Sequence, residues 1–282
     1  MKTLQFGEVF GHAVTNLDAT AQSDRIARRC PFRGSKCTKA SITDPLGICS
    51  LTDGKKLATV CPVRFLEGNR VFSDVGKLAF GTGISVIAVP EVRVLEVVVQ
   101  ADEGVMRSKK VGKVDFLLVR AEATGEPTRD FVALEVQSVY MSGGSMREDF
   151  RSFLRTGRVE PGFARRPDYR SSIQKRLMPQ LALKMQAFRA WGKKFFVATD
   201  ELFFENVPAM RLQSSFDNSE ITWFVYPFKK TSERFSMGDP SQKFTMWADV
   251  EGALREGSST PDSVLAEVNA KILRNRAFRF ST

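Results

Sequence analysis

Two apolar runs decide the fold of this chain: Val114-Asp115-Phe116-Leu117-Leu118-Val119 and Phe131-Val132-Ala133-Leu134-Glu135-Val136-Gln137. Both runs are typical of buried strands, and the polar residues 121–130 between them include a glycine and a proline, which predict a turn. The stretch therefore predicts a β-hairpin. Its unusual feature is that Asp115 lies on one strand while Glu135 and Gln137, two residues apart and so on one face, lie on the other.

Two carboxylates on adjacent strands are a possible metal site. Mg²⁺ prefers one or two carboxylates together with water and a substrate phosphate, and the bound ion activates water and offsets charge on the phosphorus oxygens. The alternative is that both acids lie on a solvated face or pair with Arg120 and Arg129. Spacing alone leaves both interpretations open.

Composition indicates a globular protein with a polyanionic partner. The chain has 282 residues, 43% of them hydrophobic, which suits one large domain or two modest ones with a sizeable core. The formal net charge is +10 and the pI is about 9.6. A surplus of cations of this size favours nucleic acid, since it neutralises and steers phosphates.

No segment predicts export or a membrane partner. The N-terminus lacks the apolar region of a signal peptide, and no run approaches the roughly 20 apolar residues needed to cross a bilayer. We therefore expect a soluble intracellular protein, in a compartment where thiols stay reduced.

All the cysteines lie early in the chain, at Cys30, Cys37, Cys49 and Cys61, with six, eleven and eleven residues between them. In a reducing compartment a tetrahedral thiolate site is favoured over two disulfides, and zinc or iron could occupy it. Disulfides and unrelated buried thiols are the alternatives, because the tight Cys-x2-Cys spacing is absent.

The remaining pattern predicts a mixed α/β fold. The predicted elements are a helix over 73–80, strands over 84–89 and 91–100, the hairpin, a helix over 172–191 that Pro179 kinks or breaks, strands over 195–199 and 221–228, and a helix from Thr260. The order of helix, three-strand meander, helix and strand indicates a mixed sheet flanked by helices rather than a doubly wound one.

Several chemistries find little support in these residues. His12 is the only histidine, so histidine-based triads and histidine metal sites are nearly excluded. The segment Gly81-Thr82-Gly83 lacks a following Lys-Ser or Lys-Thr and is read as a helix stop rather than a phosphate-binding loop.

The hairpin with Asp115 and Glu135-Val136-Gln137 resembles the active site of the PD-(D/E)xK nucleases, with Gln137 where most members have Lys. The predicted order of helices and strands is similar to the core of that superfamily. Within it, the cysteine-rich segments Arg29–Lys39, Gly47–Ser50 and Cys61-Pro62 resemble the NotI-like restriction endonucleases. That group joins a four-cysteine iron site to a nuclease core with the Gln variant of the motif.

The resemblance implies a type II restriction endonuclease that hydrolyses double-stranded DNA with Mg²⁺. Asp115 and Glu135 would be metal ligands, and Gln137 would position the attacking water or a phosphate oxygen. The four cysteines would carry a structural iron, with zinc as the alternative. Residues 1–68 would form the cysteine-rich segment and residues 69–282 the nuclease core with its C-terminal helix. The resemblance also implies a homodimer that cuts a palindromic, GC-rich site, and a cytoplasmic location in a prokaryotic cell.

An additional acid commonly lies on the preceding strand or helix in this superfamily. Glu96, within an otherwise apolar run, is the candidate here, and Glu91 is the competitor. Base-reading side chains are expected among the clustered arginines Arg147, Arg151, Arg155, Arg158, Arg165, Arg166, Arg170 and Arg176. Competing functions are a non-catalytic DNA-binding protein and a repair-type nuclease on the same fold.

Overall fold

The computed structural model describes residues 4–100, 106–143, 146–158, 166–231, 233–255 and 260–274. Its strands are β1 (Gln5–Val9), β2 (His12–Ala13), β3 (Arg29–Cys30), β4 (Ser35–Lys36), β5 (Ile48–Thr52), β6 (Leu57–Thr59), β7 (Val86–Pro90), β8 (Arg93–Gln100), β9 (Met106–Lys113), β10 (Phe116–Ala121), β11 (Pro127–Val136), β12 (Tyr140–Ser142), β13 (Arg166–Asp168), β14 (Phe195–Asp200), β15 (Ile221–Tyr226), β16 (Phe228–Lys230), β17 (Phe235–Met237) and β18 (Ser241–Thr245).

The α-helices are α1 (Ala19–Ala27), α2 (Arg70–Phe80), α3 (Arg147–Thr156), α4 (Tyr169–Ser171), α5 (Met178–Ala190), α6 (Glu201–Glu205), α7 (Trp247–Arg255) and α8 (Pro261–Leu273). A 3-10 segment, Pro62–Asn69, precedes α2, and a π-helical turn, Ser172–Leu177, precedes α5. Within the described ranges, no helix is both long and apolar enough to span a membrane.

The centre of the molecule is a mixed six-stranded sheet with the order β18-β15-β14-β11-β10-β7. β7, β10 and β11 form an antiparallel meander, β14 and β15 continue parallel to β11, and β18 closes the edge antiparallel to β15. β14 and β15 are buried along their whole length, as expected for parallel strands covered on both faces. The predicted mixed α/β class is confirmed.

Side-chain alternation sends neighbouring residues of this sheet into two separate cores. Ala133, Phe195 and Trp223 belong to a core shared with α3 and α5. Leu134 and Phe196, their sequence neighbours, belong to a second core with α2. Glu135 has the same alternation as Ala133, so its side chain lies on the face covered by α5.

A second sheet, with the order β2-β1-β5-β6, packs beside the first core. Phe6 and Ile48 of this sheet lie in the same apolar cluster as Phe195. The amide of Val139, just after β11, donates to the carbonyl of Thr59 in β6 at 2.8 Å. The cysteine-bearing part of the chain is therefore packed against the end of the hairpin strand that carries Glu135.

The strand predicted over 91–100 is present as β8, but it lies outside the central sheet. β8 pairs with β9, a strand absent from the sequence prediction, in a separate two-stranded ribbon. The chain leaves the sheet at Glu91, whose φ is +58°. β-branched side chains predict an extended backbone but not its pairing partner, which explains why the strand was predicted and its position was not.

The helix predicted over 172–191 is not broken at Pro179. The π-helical turn Ser172–Leu177 comes directly before it, and the amide of Met178 donates to the carbonyl of Ile173. The wider turn lies where the missing N–H of proline removes a helical hydrogen bond.

Near the C-terminal end of the described residues, the predicted start of α8 is confirmed by a capping box between Thr260 and Ser263.

Candidate active site

Asp115 and Glu135 meet at the end of the hairpin. Phe116 pairs with Leu134, and one further step along the antiparallel register sets Asp115 opposite Glu135. Directly opposed residues share a face and lie within contact distance. The amide of Val136 donates to Oδ2 of Asp115 at 2.9 Å, which fixes the aspartate against the partner strand.

The two carboxyls lie in contrasting environments. The side chain of Glu135 is 1% exposed, whereas Asp115 is half-buried and lines a cavity. Burial, together with the nearby charge of Asp115, raises the pKa of Glu135 to about 8 although a lysine opposes the shift. Two acids held this close favour a shared proton or a bound cation over two free negative charges.

The lysine is Lys184 on α5, which the sequence interpretation did not assign to the site. Its side chain is 2% exposed, and its ammonium donates to Oε1 of Glu135. A signal for it exists in the sequence. Lys184 lies three residues after Leu181 and four before Phe188, so it occupies the apolar stripe of its helix, where a lysine needs a partner.

Gln137 follows the last residue of β11 and is 8% exposed. Its backbone amide donates to the carbonyl of Ala198 at 2.8 Å, which continues the alignment of β11 with β14. Among the described residues its side-chain amide has no recorded hydrogen bond. The side chain is therefore held near Glu135 by the backbone and keeps its donors and acceptor for another partner.

Of the two candidates for an additional acid, Glu91 lies next to Asp115, whereas Glu96 lies on the ribbon away from it. Glu96 is exposed on β8 and accepts a hydrogen bond from Ser108 on the ribbon. The amide of Glu91 donates to the carbonyl of Asp115 at 2.9 Å, and both residues line one cavity. The carboxylate of Glu91 pairs with Lys113 at 2.8 Å, and this ammonium lowers its pKa.

That cavity has a volume of about 450 Å³. Its walls come from the hairpin and from the cysteine-rich segment, and its lining residues are Arg33, Pro62, Val63, Leu66, Pro90, Glu91, Asp115, Phe116 and Val136. Arg33 lies between Cys30 and Cys37 in sequence, and Pro62 follows Cys61. The segment with the cysteines therefore contributes a cation and apolar surface beside Asp115.

The cysteines are close to one another but do not form a coordination sphere. All four are free thiols, and burial, with added repulsion from Cys61, raises the pKa of Cys30, Cys37 and Cys49. The amide of Gly11 donates to Sγ of Cys49 at 3.3 Å. In the part of the chain that the structure describes, no three or more Cys, His, Asp or Glu side chains are grouped so as to hold a metal ion. These positions do not support the four-cysteine site.

The predicted arginine cluster is spread over several elements. Arg147 and Arg151 on α3 pair with Asp44, and Arg176 lies over the ring of Tyr140 at 4.1 Å. Arg165 lies outside the described residues. His12 pairs with Asp24 at 2.8 Å, which gives the only histidine a structural role.

A protein-family model matches most of the chain. The family described as restriction endonuclease NotI matches residues 8–242, which include the cysteine-rich segment, the hairpin, α5 and the first two residues of β18. Among curated proteins, no match to this chain is found. Since the family match covers most of the 282 residues, the chain belongs to the NotI restriction endonuclease family.

Proposed function

We propose that this restriction endonuclease hydrolyses phosphodiester bonds of double-stranded DNA with Mg²⁺ held by Asp115 and Glu135. One observation carries the proposal. Two carboxyls lie side by side at the end of a hairpin, one buried with its pKa raised to about 8 and the other open to a cavity. Mg²⁺ requires no more than one or two carboxylates, so this donor set fits the ion.

When bound there, Mg²⁺ supplies an activated water and offsets charge on the phosphate oxygens. The protein's own groups position the reactants. Lys184 holds the carboxylate of Glu135 in place and balances its charge, a role that the neutral Gln137 cannot fill. The amide of Gln137 can donate to a phosphate oxygen or accept from the attacking water, and so orients either one.

The fold supports an assignment to the PD-(D/E)xK nucleases. α2, the meander β7-β10-β11, α5 and β14 follow the helix, three strands, helix and strand of that core. We further infer that residues 1–68 form a cysteine-rich part and residues 69–282 the nuclease core. Glu91 replaces Glu96 as the preferred additional acid, because it lies beside Asp115.

Cleavage of a phage genome, followed by sequencing of the ends, tests the function directly. We expect Mg²⁺-dependent cuts at one palindromic, GC-rich sequence. Asp115→Asn and Glu135→Gln should abolish cleavage, by about a thousandfold or more, and leave DNA binding largely intact. The matched control is Asp130→Asn, which alters an exposed acid of the same strand and should cleave normally.

Other outcomes separate the competing functions. A wild-type protein that binds duplex DNA and never cuts it with Mg²⁺ or Mn²⁺ is a non-catalytic binding protein. Diffuse degradation indicates a repair-type nuclease. Equal cleavage by Asp115→Asn and wild type would falsify the proposed site.

A four-cysteine site with iron, or with zinc, is proposed separately, and it rests on the four thiols as a donor set and not on their positions. Four thiolates leave no open position for a water, so its role would be structural. Metal analysis should find about one iron or zinc per chain, reduced in Cys30→Ser and unchanged in the control Ser35→Ala. A metal-free protein in which Cys30→Ser folds normally contradicts it.

A palindromic site would be matched by a two-fold homodimer. α8 offers a surface for such contact, because Val264, Val268 and Ile272 form an exposed apolar stripe and none of its residues is buried. Light scattering of the purified protein should give the mass of a dimer. A cytoplasmic location follows from the proposed function, since the DNA that it cuts enters that compartment.

A further inference from the structure

The ribbon of β8 and β9 begins beside the candidate active site. Residues Pro90 and Glu91 lead into it, and Asp115 follows two residues after it ends. Two backbone hydrogen bonds of 2.9 Å close its base, from Glu91 to Asp115 and from Val114 to Val92. With eight residues in each strand, it extends about 25 Å from that base.

The ribbon is strongly cationic. Its described residues, 91–98 and 106–113, carry five cations against the two acids Glu91 and Glu96. The cations are Arg93, Arg107, Lys109, Lys110 and Lys113, and all of their side chains are exposed.

Most of this charge lies on one face. Arg93 is paired with Lys113, and alternation along β9 puts Arg107 and Lys109 on the same face as Lys113. Val94 lies on the opposite face and packs against the protein core. The four cations therefore point away from the core.

Three of these four cations have no ion-pair partner among the described residues. Lys113 is bound to Glu91, but Arg93, Arg107 and Lys109 make no ion pair within the described parts of the chain. Like charges placed directly opposite each other, such as Arg93 and Lys113, destabilise a sheet. A face built in this way suits an anionic partner.

The base of the ribbon has a defined geometry. Gly112 has a φ of +65°, and a Cβ there would come within 2.7 Å of Leu95 Cδ1. A positive φ favours glycine, and a larger residue would also have to displace the Leu95 side chain, so Gly112 suits this position at the base of the ribbon.

We propose that the cationic face of the β8–β9 ribbon binds the phosphate backbone of duplex DNA next to the scissile phosphate. This assignment rests on the proposed nuclease function. Exposed lysines and arginines without fixed side-chain partners suit phosphates, which bind without sequence preference, better than base edges. The ribbon therefore adds affinity and orients the duplex, while sequence recognition lies elsewhere.

Salt dependence of DNA binding tests the assignment. Binding of a short random-sequence duplex is measured in EDTA over a range of salt concentrations, for wild type and for Arg107→Gln/Lys109→Gln. Each phosphate contact contributes about 0.9 to the slope of log affinity against log salt, so the slope should fall by about 2. Affinity near 0.15 M salt should fall by about tenfold or more.

The matched control is Lys229→Gln/Lys230→Gln, which removes two exposed cations from the other two-stranded ribbon, β16–β17. Its slope should stay close to that of wild type. Equal slopes for the two double variants overturn the proposal. So does a ribbon variant that keeps its slope and loses only its preference for the cognate site, since that result identifies a base-reading element.

Two further measurements keep the result interpretable. Thermal unfolding of both double variants should match wild type, because the four side chains are exposed. Asp115→Asn tests the nuclease function separately: it should keep the wild-type salt slope while losing cleavage. If the ribbon variant keeps the wild-type salt slope while Asp115→Asn is inactive, only the ribbon proposal is refuted. If Asp115→Asn cleaves normally, only the proposed active site is refuted.

Discussion

Glu8 and Glu135 are two carboxylates of the described residues that are buried against a buried cation, and their surroundings differ. Glu8 is 0% exposed and accepts from Ser50 at 2.8 Å and from Arg64 at 2.9 Å. Arg64, also 0% exposed, donates further to Glu67 and to the carbonyl of Phe235. Glu135 has Lys184 as its cation and a second carboxyl, Asp115, beside it.

The difference indicates what each pair does. Glu8 and Arg64 join β1, the 3-10 segment and β17 through a satisfied network, and the guanidinium lies over Phe32 and Phe228 at 4.5 and 4.8 Å. Such a network stabilises one arrangement of the chain. When both are ionised, Asp115 and Glu135 carry one more negative charge than Lys184 balances. An open cavity lies next to them, and this combination favours binding a cation.

The largest effect should come from breaking the satisfied pair. Arg64→Met leaves the charge of Glu8 buried without its main partner, so the free energy of unfolding should fall by about 3–5 kcal/mol. Urea unfolding measures this. In Glu8→Gln/Arg64→Met part of the loss should be recovered, because no unpaired charge remains.

The control for this prediction is Arg70→Met. Arg70 is partly exposed and pairs with Asp74 and with the exposed Asp239, so the loss should be about 0–1 kcal/mol. If Arg64→Met lowers the free energy of unfolding as little as Arg70→Met does, the Glu8–Arg64 pair is not a stabilising network. Its contrast with the Glu135–Lys184 pair would then disappear.

A smaller effect, on cleavage rather than on folding, is expected from Lys184→Met. The pKa of Glu135 is already raised to about 8, so its carboxyl stays protonated at neutral pH when the cation is removed, and stability should change little. Cleavage should fall by about 10–100-fold, as is usual when a group that orients a metal ligand is lost. Lys184→Arg should restore part of the activity, and Lys175→Met, an exposed cation on the preceding turn, should cleave normally.

The pH dependence of Mg²⁺ binding gives the smallest and most specific test. Glu135 has a pKa raised to about 8 and is therefore protonated below that pH, and Mg²⁺ must displace this proton. Affinity for Mg²⁺ should rise by about tenfold per pH unit up to about pH 8 and then level off. Titration calorimetry in two buffers measures both the affinity and the proton released.

Lys184→Met sharpens this test. Loss of the ammonium removes the contact that opposes the rise in the pKa of Glu135, so the pH at which Mg²⁺ affinity levels off should move upward. If the ammonium of Lys184 does not act on the carboxyl of Glu135, that pH will not move. Equal Mg²⁺ affinity from pH 6 to pH 9 in the wild type would contradict the assignment of Glu135.

Prediction from the sequence was most successful where the interactions are local. The hairpin and the placement of Asp115 and Glu135 on its two strands depend on alternation and on a short turn, and both can be read from neighbouring residues. The capped start of α8 follows for the same reason. The placement of β8 could not be read in this way, because its pairing partner and the sharp bend at Glu91 depend on packing.

The sequence by itself determined the hairpin, its pair of acids, the cationic surplus and the clustering of the cysteines along the chain. Only the tertiary structure decided that Lys184, 49 residues beyond Glu135, is buried against it, and that Glu91 rather than Glu96 lies beside Asp115. The physical reason is range. Alternation and turn formation act over a few residues, whereas burial of an ion pair depends on which elements pack together.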